Sequence, residues 1–384
     1  MGIERVSSFR AGSPVSSSPS DVHRMGSRAL REEDKVDPAE FLEKLLSIPS
    51  PSGGEDVFAE YLMTRMRKQG FRVSRDEAGN VHGTVGDPAA PCEIVLLGHM
   101  DTVPGFIPVR WDGDNLYGRG AVDAKGPLAA FVLAAARVAP KLRQARVTVI
   151  GAVEEESHGW GAHHLAQTMS APDYVIIGEP SDWDSITLGY KGMLNMEYRL
   201  VQPGGHSAGE APGPAEHAVH FWNRLRRYAY AYNQGKEGRF NTLDPALRDL
   251  HTYSDGLYDY VEMNIVARLP PDFGINVLQA GMEAWSNGAE LKFLGSDPAY
   301  RCEKNTPPVR ALLRAIRAAG GHPRFKLKTG TSDMNTVGPV WECPMAAYGP
   351  GDSSLDHTPR EHINIAEFER SIGILAQALE TLAS

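Results

Sequence analysis

Cysteine is scarce in this chain. Its 384 residues include 3 cysteines, at Cys92, Cys302 and Cys343. Their odd number and wide spacing suggest neither a disulfide framework nor a pair of cysteines spaced to hold a metal. Such limited use of thiols fits a reducing compartment, so we expect a cytoplasmic protein.

Positive charge and long apolar runs are also lacking. The 39 Lys and Arg residues against 48 Asp and Glu residues give a net charge of −9. Nucleic-acid binding needs a clustered positive field, and none is visible. No apolar run reaches the roughly 18 residues that span a bilayer. The first residues also lack the apolar core of an export signal. We therefore expect neither a nucleic-acid partner nor a membrane partner.

The character of the sequence changes near residue 35. Residues 1–34 are rich in Ser, Arg, Gly and Pro without a hydrophobic period, which predicts a disordered N-terminal extension. Asp37 and Pro38 then form an N-cap and N1 pair that predicts a helix through Leu46. The remaining chain is long enough for one large domain and a smaller one.

Short apolar runs alternate with helical patterns through much of the chain. A helical pattern at Ala124–Val138 separates the first two of these runs. Alternation of this kind predicts an α/β fold with a central, mostly parallel sheet. The runs are Glu93–Leu97, Arg146–Ala152, Tyr174–Ile177 and Met345–Tyr348.

The middle of the chain has a different pattern. Residues Met193–Val201 alternate between polar and apolar, as in a half-exposed strand. A helix at about Pro214–Tyr232 and a strand at about Val261–Leu269 follow, which predicts a compact α+β insert. The predicted order is a first catalytic part, the insert and a second catalytic part, at residues 35–189, 190–302 and 303–384.

Acidic residues and histidines cluster in five segments, most of them at the ends of the apolar runs. In an open α/β sheet the functional crevice lies beyond the carboxyl ends of the strands, so we expect these side chains at one edge. Carboxylates desolvated together would repel one another without a cation, and His with Asp and Glu is a metal-ligand set. Each segment alone has an ordinary alternative, such as a turn or a helix start. The segments are Leu97–Pro104, Gly118–Gly126, Val153–Glu156, Gly178–Ser181 and Tyr348–Pro359.

In this order the five segments closely resemble the two-zinc family of acetylornithine deacetylase, succinyl-diaminopimelate desuccinylase, carboxypeptidase G and aminoacylase. The resemblance covers nearly the whole chain from about residue 37. It implies a zinc-peptidase-like catalytic domain, interrupted by a smaller lid and dimerisation domain at the position of the insert. It also implies two Zn²⁺ ions per chain and a homodimer. Because the ligands are histidines and carboxylates, Co²⁺ is an expected substitute.

The resemblance also implies a role for each matching ligand. His99 and Glu179 are expected to bind one zinc ion. Glu156 and His357 are expected to bind the other ion, and Asp123 to bridge the two. A zinc ion lowers the pKa of a bound water to about 7, so the resemblance predicts hydrolysis at neutral pH.

Two further carboxylates complete the expected catalytic set. Asp101 is expected to orient His99 and fix its tautomer. Glu155 is expected to act as the general base that takes a proton from water and passes it to the leaving amine. The three consecutive acids leave a second register open, with Glu154 as the base and Glu155 as the ligand. The resemblance also implies a cis peptide bond at Asp123–Ala124.

The insert contains two residues that match the family's lid. His206 matches a histidine that reaches the neighbouring subunit's site and donates a hydrogen bond to the tetrahedral oxyanion. Arg268 matches an arginine that holds a substrate carboxylate. The alternatives are a loop histidine and a surface arginine. The family usually has an Asn-x-x-Pro segment before this arginine, and only Asn264 is close by, which leaves the carboxylate contacts open.

Four stretches resemble the subgroup that releases lysine or ornithine from an amino-group carrier protein. In that subgroup the α-nitrogen of the amino acid is held on the γ-carboxyl of the carrier's terminal Glu. Hydrolysis of this isopeptide bond belongs to lysine or arginine biosynthesis, and the inference depends on resemblance alone. The stretches are Gly118–Pro127, Gly178–Gly192, Thr329–Asn335 and Tyr348–Pro359.

The alternatives come from two classes. One is a deacylase of small N-acyl amino acids, similar to acetylornithine deacetylase. The other is a non-catalytic binding relative, which the complete set of ligands disfavours. If the released amino acid is lysine or ornithine, its ammonium needs an acid outside the metal shell, and Asp333 is the candidate for that contact. The alternative for Asp333 is a helix N-cap beside Ser332.

Overall fold

The computed structural model describes residues 36–206, 208–209 and 211–384, so the extension predicted at residues 1–34 lies outside the described residues. Helices and strands alternate through most of this region. The helices are α1 (Pro38–Leu46), α2 (Asp56–Lys68), α3 (Lys125–Val138), α4 (Trp160–Thr168), α5 (Pro214–Asn233), α6 (Ile275–Trp285), α7 (Pro307–Ala318), α8 (Asp333–Trp341) and α9 (Ile365–Leu382). The strands are β1 (Arg72–Arg75), β2 (Val81–Gly86), β3 (Cys92–His99), β4 (Arg110–Asp112), β5 (Asn115–Tyr117), β6 (Ala145–Ala152), β7 (Tyr174–Ile177), β8 (Ser185–Tyr190), β9 (Gly192–Pro203), β10 (Asp244–Ser254), β11 (Tyr258–Leu269), β12 (Glu290–Asp297), β13 (Tyr300–Arg301), β14 (Arg324–Lys328), β15 (Met345–Ala347) and β16 (His362–Asn364).

The larger sheet contains nine strands within the described residues. Its order is β1-β2-β6-β3-β7-β15-β8-β13, and β14 pairs with β8. The inner strands β6, β3, β7 and β15 are parallel to one another. Antiparallel pairs flank them on both sides. The predicted α/β fold with a mostly parallel central sheet is confirmed.

The burial of the inner strands of the larger sheet explains why the hydrophobic pattern of the sequence predicts them. Residues Ile94–Leu97 of β3 are all fully buried. A run without polar alternation is typical of a parallel strand covered on both faces. Helix α3 is also buried along nearly its whole length and packs against α1 and α9. Its many alanines permit this close approach because they add little side-chain volume.

The first helix begins where the sequence predicted. The Oδ1 atom of Asp37 accepts hydrogen bonds from the backbone N–H groups of Ala39 and Glu40, at 2.8 and 3.0 Å. Pro38 occupies the N1 position, where its missing N–H costs nothing. The helix ends at Leu46, as predicted.

The smaller sheet is antiparallel, in the order β10-β11-β9-β12. In β9 the apolar side chains of Leu194, Met196 and Tyr198 are buried, while the residues between them are only partly buried. They share a core with α5 and α6 that is separate from the core of the larger sheet. The alternation predicted for this stretch is therefore confirmed, and the helix at Pro214–Asn233 matches the predicted one closely.

The chain passes from the smaller sheet back to the larger sheet between β12 and β13. This is shown by β13, which pairs with β8 of the larger sheet. A third, short sheet joins β16, β5 and β4. The division into domains at residues 190 and 302 remains a prediction. Among the described residues, no helix is long and apolar enough to cross a membrane.

Candidate metal centre and active site

Ligand-type side chains lie at the carboxyl ends of the inner strands. His99 is the last residue of β3, and Glu156 and Glu179 follow shortly after β6 and β7. Asp123 lies just before α3, and His357 lies in the loop after β15. Because parallel strands end at the same edge of a sheet, the structure brings these five side chains together.

Two groups of three side chains have the geometry of metal sites. Ligand atoms of His99, Asp123 and Glu179 lie within 4.8 Å of one another, and so do those of Asp123, Glu156 and His357. Asp123 belongs to both groups. Its Oδ1 lies 3.3 Å from His99 Nε2, and its Oδ2 lies 3.0 Å from His357 Nε2. Imidazoles with carboxylates suit zinc and related divalent ions, so these residues fit two ions that share one bridging carboxylate.

The electrostatics of this edge also fit a cation. Burial raises the pKa values of Glu155 and Glu179 well above their ordinary range, and neighbouring carboxylates raise them further. Burial and the charge of Asp123 raise the pKa of Asp356 to about 8. Hydrogen bonds to Asp123 and Glu156 raise the pKa of His357 to about 10. Carboxylates crowded in a dry site become fully ionised when a cation lies among them.

A buried carboxylate supports the loop that carries Asp123. Glu361 Oε1 accepts hydrogen bonds from the backbone N–H groups of Val122 and Asp123, at 3.0 and 3.1 Å. Its other oxygen pairs with Arg119 at 2.8 Å. The peptide bond Asp123–Ala124 is cis, as expected from the resemblance. The role of Glu361 was missed, because a Glu beside a Pro and Arg segment carries no distinctive sequence signal.

Asp101 does more than the sequence predicted. His99 Nδ1 lies 2.9 Å from the backbone carbonyl oxygen of Asp101 and 3.4 Å from its carboxylate, so the carbonyl is its nearer partner. The carboxylate accepts hydrogen bonds from the backbone N–H groups of Glu155 and Glu156, each at 3.0 Å, and from the hydroxyl of Ser52 at 2.7 Å. Asp101 therefore contacts both the candidate ligand His99 and the acidic loop after β6.

The three consecutive acids point in different directions. Glu156 Oε1 lies 2.9 Å from His357 Nε2, within the second metal group. Glu155 lines the cavity above the metal groups. Glu154 has a positive φ of 57°, and its side chain contacts Ser157 instead of that cavity. This geometry favours Glu155 as the base and Glu156 as the ligand over the other register, and the two roles remain predictions.

A cavity of about 590 Å³ opens over the two metal groups. The larger sheet contributes Lys328, and Thr331 follows in the loop before α8, whereas Arg248 and Arg268 come from the smaller sheet. Arg268 Nη1 donates a hydrogen bond to Thr331 Oγ1 at 3.1 Å. In the described part of the chain this guanidinium forms no ion pair, so it is available to a carboxylate of a substrate.

His206 lies away from this cavity. It follows the end of β9 in an exposed loop, and its Nδ1 accepts a hydrogen bond from the backbone N–H of Ala208 at 3.1 Å. It is not among the residues that line the cavity. The described chain therefore does not bring His206 to its own metal groups, and action across a subunit boundary remains a prediction.

Asp333 is buried beside the expected base. It lies at the start of α8, but the N-cap is Ser332, whose Oγ accepts a hydrogen bond from Met334 N at 3.2 Å. The N-cap alternative for Asp333 is therefore wrong. Asp333 lines a second, smaller cavity that has Glu155 in the wall it shares with the first. Burial raises the pKa of Asp333 to about 7.

Tyr190 is a cavity residue that sequence reasoning missed. It is the last residue of β8, its side chain is buried, and it lines the main cavity. Within the described residues its hydroxyl has no hydrogen-bond partner. An unsatisfied buried hydroxyl is costly, so this donor is available to a bound substrate. The segment Gly189–Gly192 contributed to the resemblance, but nothing in it indicated where the hydroxyl points.

The chain belongs to peptidase family M20/M25/M40, whose sequence pattern matches residues 95–381. It is 43% identical over 350 residues to the LysW-lysine hydrolase of Deinococcus radiodurans, which covers 89% of this chain and 96% of that protein. It is 38% identical to the putative LysW-lysine/LysW-ornithine hydrolase of Pyrococcus furiosus, over 92% of this chain and 99% of that protein. The family resemblance inferred from the five segments is confirmed.

One solved structure is similar to this chain over nearly its whole length. The M20 family metallo-carboxypeptidase Sso-CP2 from Sulfolobus solfataricus matches with a TM-score of 0.74, covering 91% of this chain and 100% of that one. The two sequences are 18% identical, so this similarity shows the fold alone.

Proposed function

We propose that this protein is a metal-dependent hydrolase that releases lysine or ornithine from an amino-group carrier protein. It cleaves the isopeptide bond between the γ-carboxyl of the carrier's terminal Glu and the α-nitrogen of the amino acid. The observation that carries the proposal is the pair of metal groups joined by Asp123, in a chain 43% identical to a LysW-lysine hydrolase. The reaction belongs to lysine or arginine biosynthesis.

The proposed cofactor is a pair of Zn²⁺ ions. His99 and Glu179 would hold one ion, Glu156 and His357 would hold the other, and Asp123 would serve both groups. When bound, such ions polarise an amide carbonyl and lower the pKa of water. The Glu155 carboxylate accepts the proton of the attacking water and delivers it to the α-nitrogen of the leaving amino acid. The raised pKa of Glu155 supports this role, because a base that must also act as an acid works best near the ambient pH.

The released amino acid presents two charged groups to the cavity. Arg268 holds its α-carboxylate, together with the hydroxyl of Thr331. Asp333 faces its side-chain ammonium. The absence of any other ion pair at Arg268 within the described residues supports the first contact. The burial of Asp333 beside Glu155 supports the second.

The proposed assembly is a homodimer paired through the smaller sheet, in which His206 acts in the partner's site. Two observations support it. His206 is exposed and outside the cavity of its own chain, and α5 exposes the large apolar side chains of Val219 and Tyr230. We also propose a cytoplasmic location, which the unpaired thiols of Cys92, Cys302 and Cys343 support.

A second candidate is hydrolysis of a small N-acyl amino acid such as N-acetylornithine. The same metal groups and the same Arg268 would serve it. The 43% identity to a LysW-lysine hydrolase favours the carrier substrate over this second candidate.

The test offers the metal-loaded protein carrier-linked lysine, carrier-linked ornithine and N-acetylornithine, and measures kcat/KM for each. We expect a carrier-linked substrate to be preferred by tenfold or more, because contacts to the carrier contribute binding energy that a small acyl group lacks. Chelation should abolish turnover, and added Zn²⁺ or Co²⁺ should restore it. A tenfold preference for N-acetylornithine would overturn the carrier substrate, and full activity after exhaustive chelation would overturn the metal mechanism.

A further inference from the structure

A second cavity of about 200 Å³ lies beside the metal cavity. Four residues line both cavities: Glu155, Ser157, Met193 and Thr331. One of them is the expected base, and another is hydrogen-bonded to Arg268. A ligand that reaches Glu155 in the main cavity can therefore extend a substituent directly into this side cavity.

Carboxylates line the side cavity together with hydroxyl, amide and imidazole groups. Asp297, the last residue of β12, and Asp333, at the start of α8, both line it. Asp333 is 4% exposed. Asn195 also lines the cavity, and its buried Oδ1 has no donor within the described part of the chain.

No Lys or Arg of the described residues lines this cavity, and its basic groups are His158 and His163. A buried acceptor without a donor is costly, so Asn195 Oδ1 and the carboxylates of the cavity favour a ligand that donates hydrogen bonds. An alkylammonium supplies three N–H groups and one positive charge. A cation balances the two carboxylates better than a neutral or anionic group does, because the basic groups of the cavity itself are two histidines.

The strand pairing in the smaller sheet indicates how a ligand would lie across the two cavities. Met193 of β9 is paired with Arg268 of β11 on one side and with Asp297 of β12 on the other. Residues paired directly across a sheet project on the same face, so these three side chains form one row. Two antiparallel strand spacings separate the Cα atoms of Arg268 and Asp297 by about 9–11 Å.

This row matches the groups of a basic α-amino acid. In such a fit the α-carboxylate of the amino acid would contact Arg268, its apolar stem would cross Met193, and its terminal ammonium would reach Asp297. The α-nitrogen then lies toward Glu155, which lines the shared wall. Each substituent of the α-carbon thus has a complementary group.

We propose that the side cavity is the binding subsite for the terminal ammonium of the released amino acid, and that Asp297 selects for that charge with Asn195 and Asp333. This inference rests on the proposed function. It adds a selectivity residue on the smaller sheet that the motifs do not indicate, about 200 positions after His99 in the chain.

The electrostatics of the cavity agree with this assignment. Burial raises the pKa of Asp297 above its ordinary range and that of Asp333 to about 7. An ammonium placed between them favours their ionised forms and offsets the desolvation. The ligand and the two acids therefore stabilise one another's charges.

The test compares carrier-linked lysine with carrier-linked norleucine, which has the same stem without the ammonium. The wild type should prefer lysine in kcat/KM by on the order of 100-fold or more, since sites built for a polar group strongly reject analogues that lack it. In Asp297→Asn, which keeps the shape of the side chain, this ratio should fall by tenfold or more. Glu290→Gln, an exposed acid on the same strand, is the matched control and should keep the wild-type ratio.

A binding experiment separates this inference from the proposed function. Calorimetry with free L-lysine and free L-norleucine needs no turnover. If the wild type fails to cleave carrier-linked lysine but binds L-lysine in a way that depends on Asp297, the proposed function is wrong and the subsite stands. If the wild type cleaves carrier-linked lysine and Asp297→Asn keeps both the ratio and the affinity for L-lysine, the subsite is wrong and the proposed function stands. If Asp333→Asn loses the preference for lysine while Asp297→Asn keeps it, the role of Asp297 is wrong.

Discussion

The two sheets of this protein contribute different parts of the candidate site. The larger sheet and the loops at its edge carry the five metal-ligand candidates and Glu155, and three of these candidates end or closely follow strands that are buried on both faces. The smaller sheet buries one face against α5 and α6 and contributes Arg268, Asn195 and Asp297 from residues that face the cavities. In the proposed function most of the reaction chemistry therefore comes from the larger sheet, whereas the smaller sheet contributes to substrate recognition beside Thr331 and Asp333. A substitution in one sheet should leave the contribution of the other sheet intact, so that it can be measured separately.

The largest expected effect lies in the larger sheet. Glu155→Gln should lower kcat by about 10²–10⁴-fold, because it removes positioned proton transfer. It should keep both metal ions, whereas Glu156→Gln should lose one. Metal content by atomic emission and steady-state kinetics check both statements. Glu154→Gln is the control, since its side chain faces away from the cavity, and it should change neither quantity substantially. Loss of an ion from Glu155→Gln instead would establish the other register.

The next effect tests whether the smaller sheet acts across a subunit boundary. His206→Ala should lower kcat by about 10²–10³-fold while metal content is kept, since it removes one oxyanion donor. Mixing His206→Ala chains with Glu155→Gln chains should recover activity, because one site of each hybrid has both groups. Hybrids can be verified by native mass spectrometry. Verified hybrids without recovered activity would show that His206 does not act in the partner's site.

The smallest effect concerns the carboxylate contact. Arg268→Lys keeps the charge but loses the fork geometry, so kcat/KM should fall by about 10–100-fold with metal content unchanged. Arg199→Lys, at an exposed position on the same sheet, is the control and should behave like the wild type. An Arg268→Lys variant with wild-type kcat/KM would mean that the substrate carboxylate binds elsewhere, and it would break the division of roles between the two sheets.

The sequence predicted the larger sheet better than the smaller one. Runs such as Arg146–Ala152 are buried on both faces and contain several consecutive apolar residues, so their pattern is strong. The strand β10 was not predicted, because nearly all its residues are exposed and no face has an apolar stripe. Strand β8 was also missed, although it is buried, because Ser, Thr and Gly interrupt its apolar residues.

The same contrast holds for the site. Residues such as His99 and Asp123 stand in motifs with recognisable neighbours, so strand ends together with the family resemblance could predict that they converge. Asp297 and Glu361 carry no such signal, because their importance depends on tertiary pairing with distant residues. Hydrophobic periodicity predicts which face of a strand is buried, but it does not predict which residue of another strand lies opposite.

The support of Asp123 by Glu361 has a consequence for how the chain acquires its activity during synthesis. The two residues are 238 positions apart, and His357 lies close to the second of them in sequence. A chain emerging from the ribosome at about 5–20 residues per second therefore presents most of its ligands well before the last one. Contacts of such long range form only after a large loop has closed. The second group of candidate ligands can be complete only after residue 357 has left the ribosome, so the proposed site forms late in synthesis.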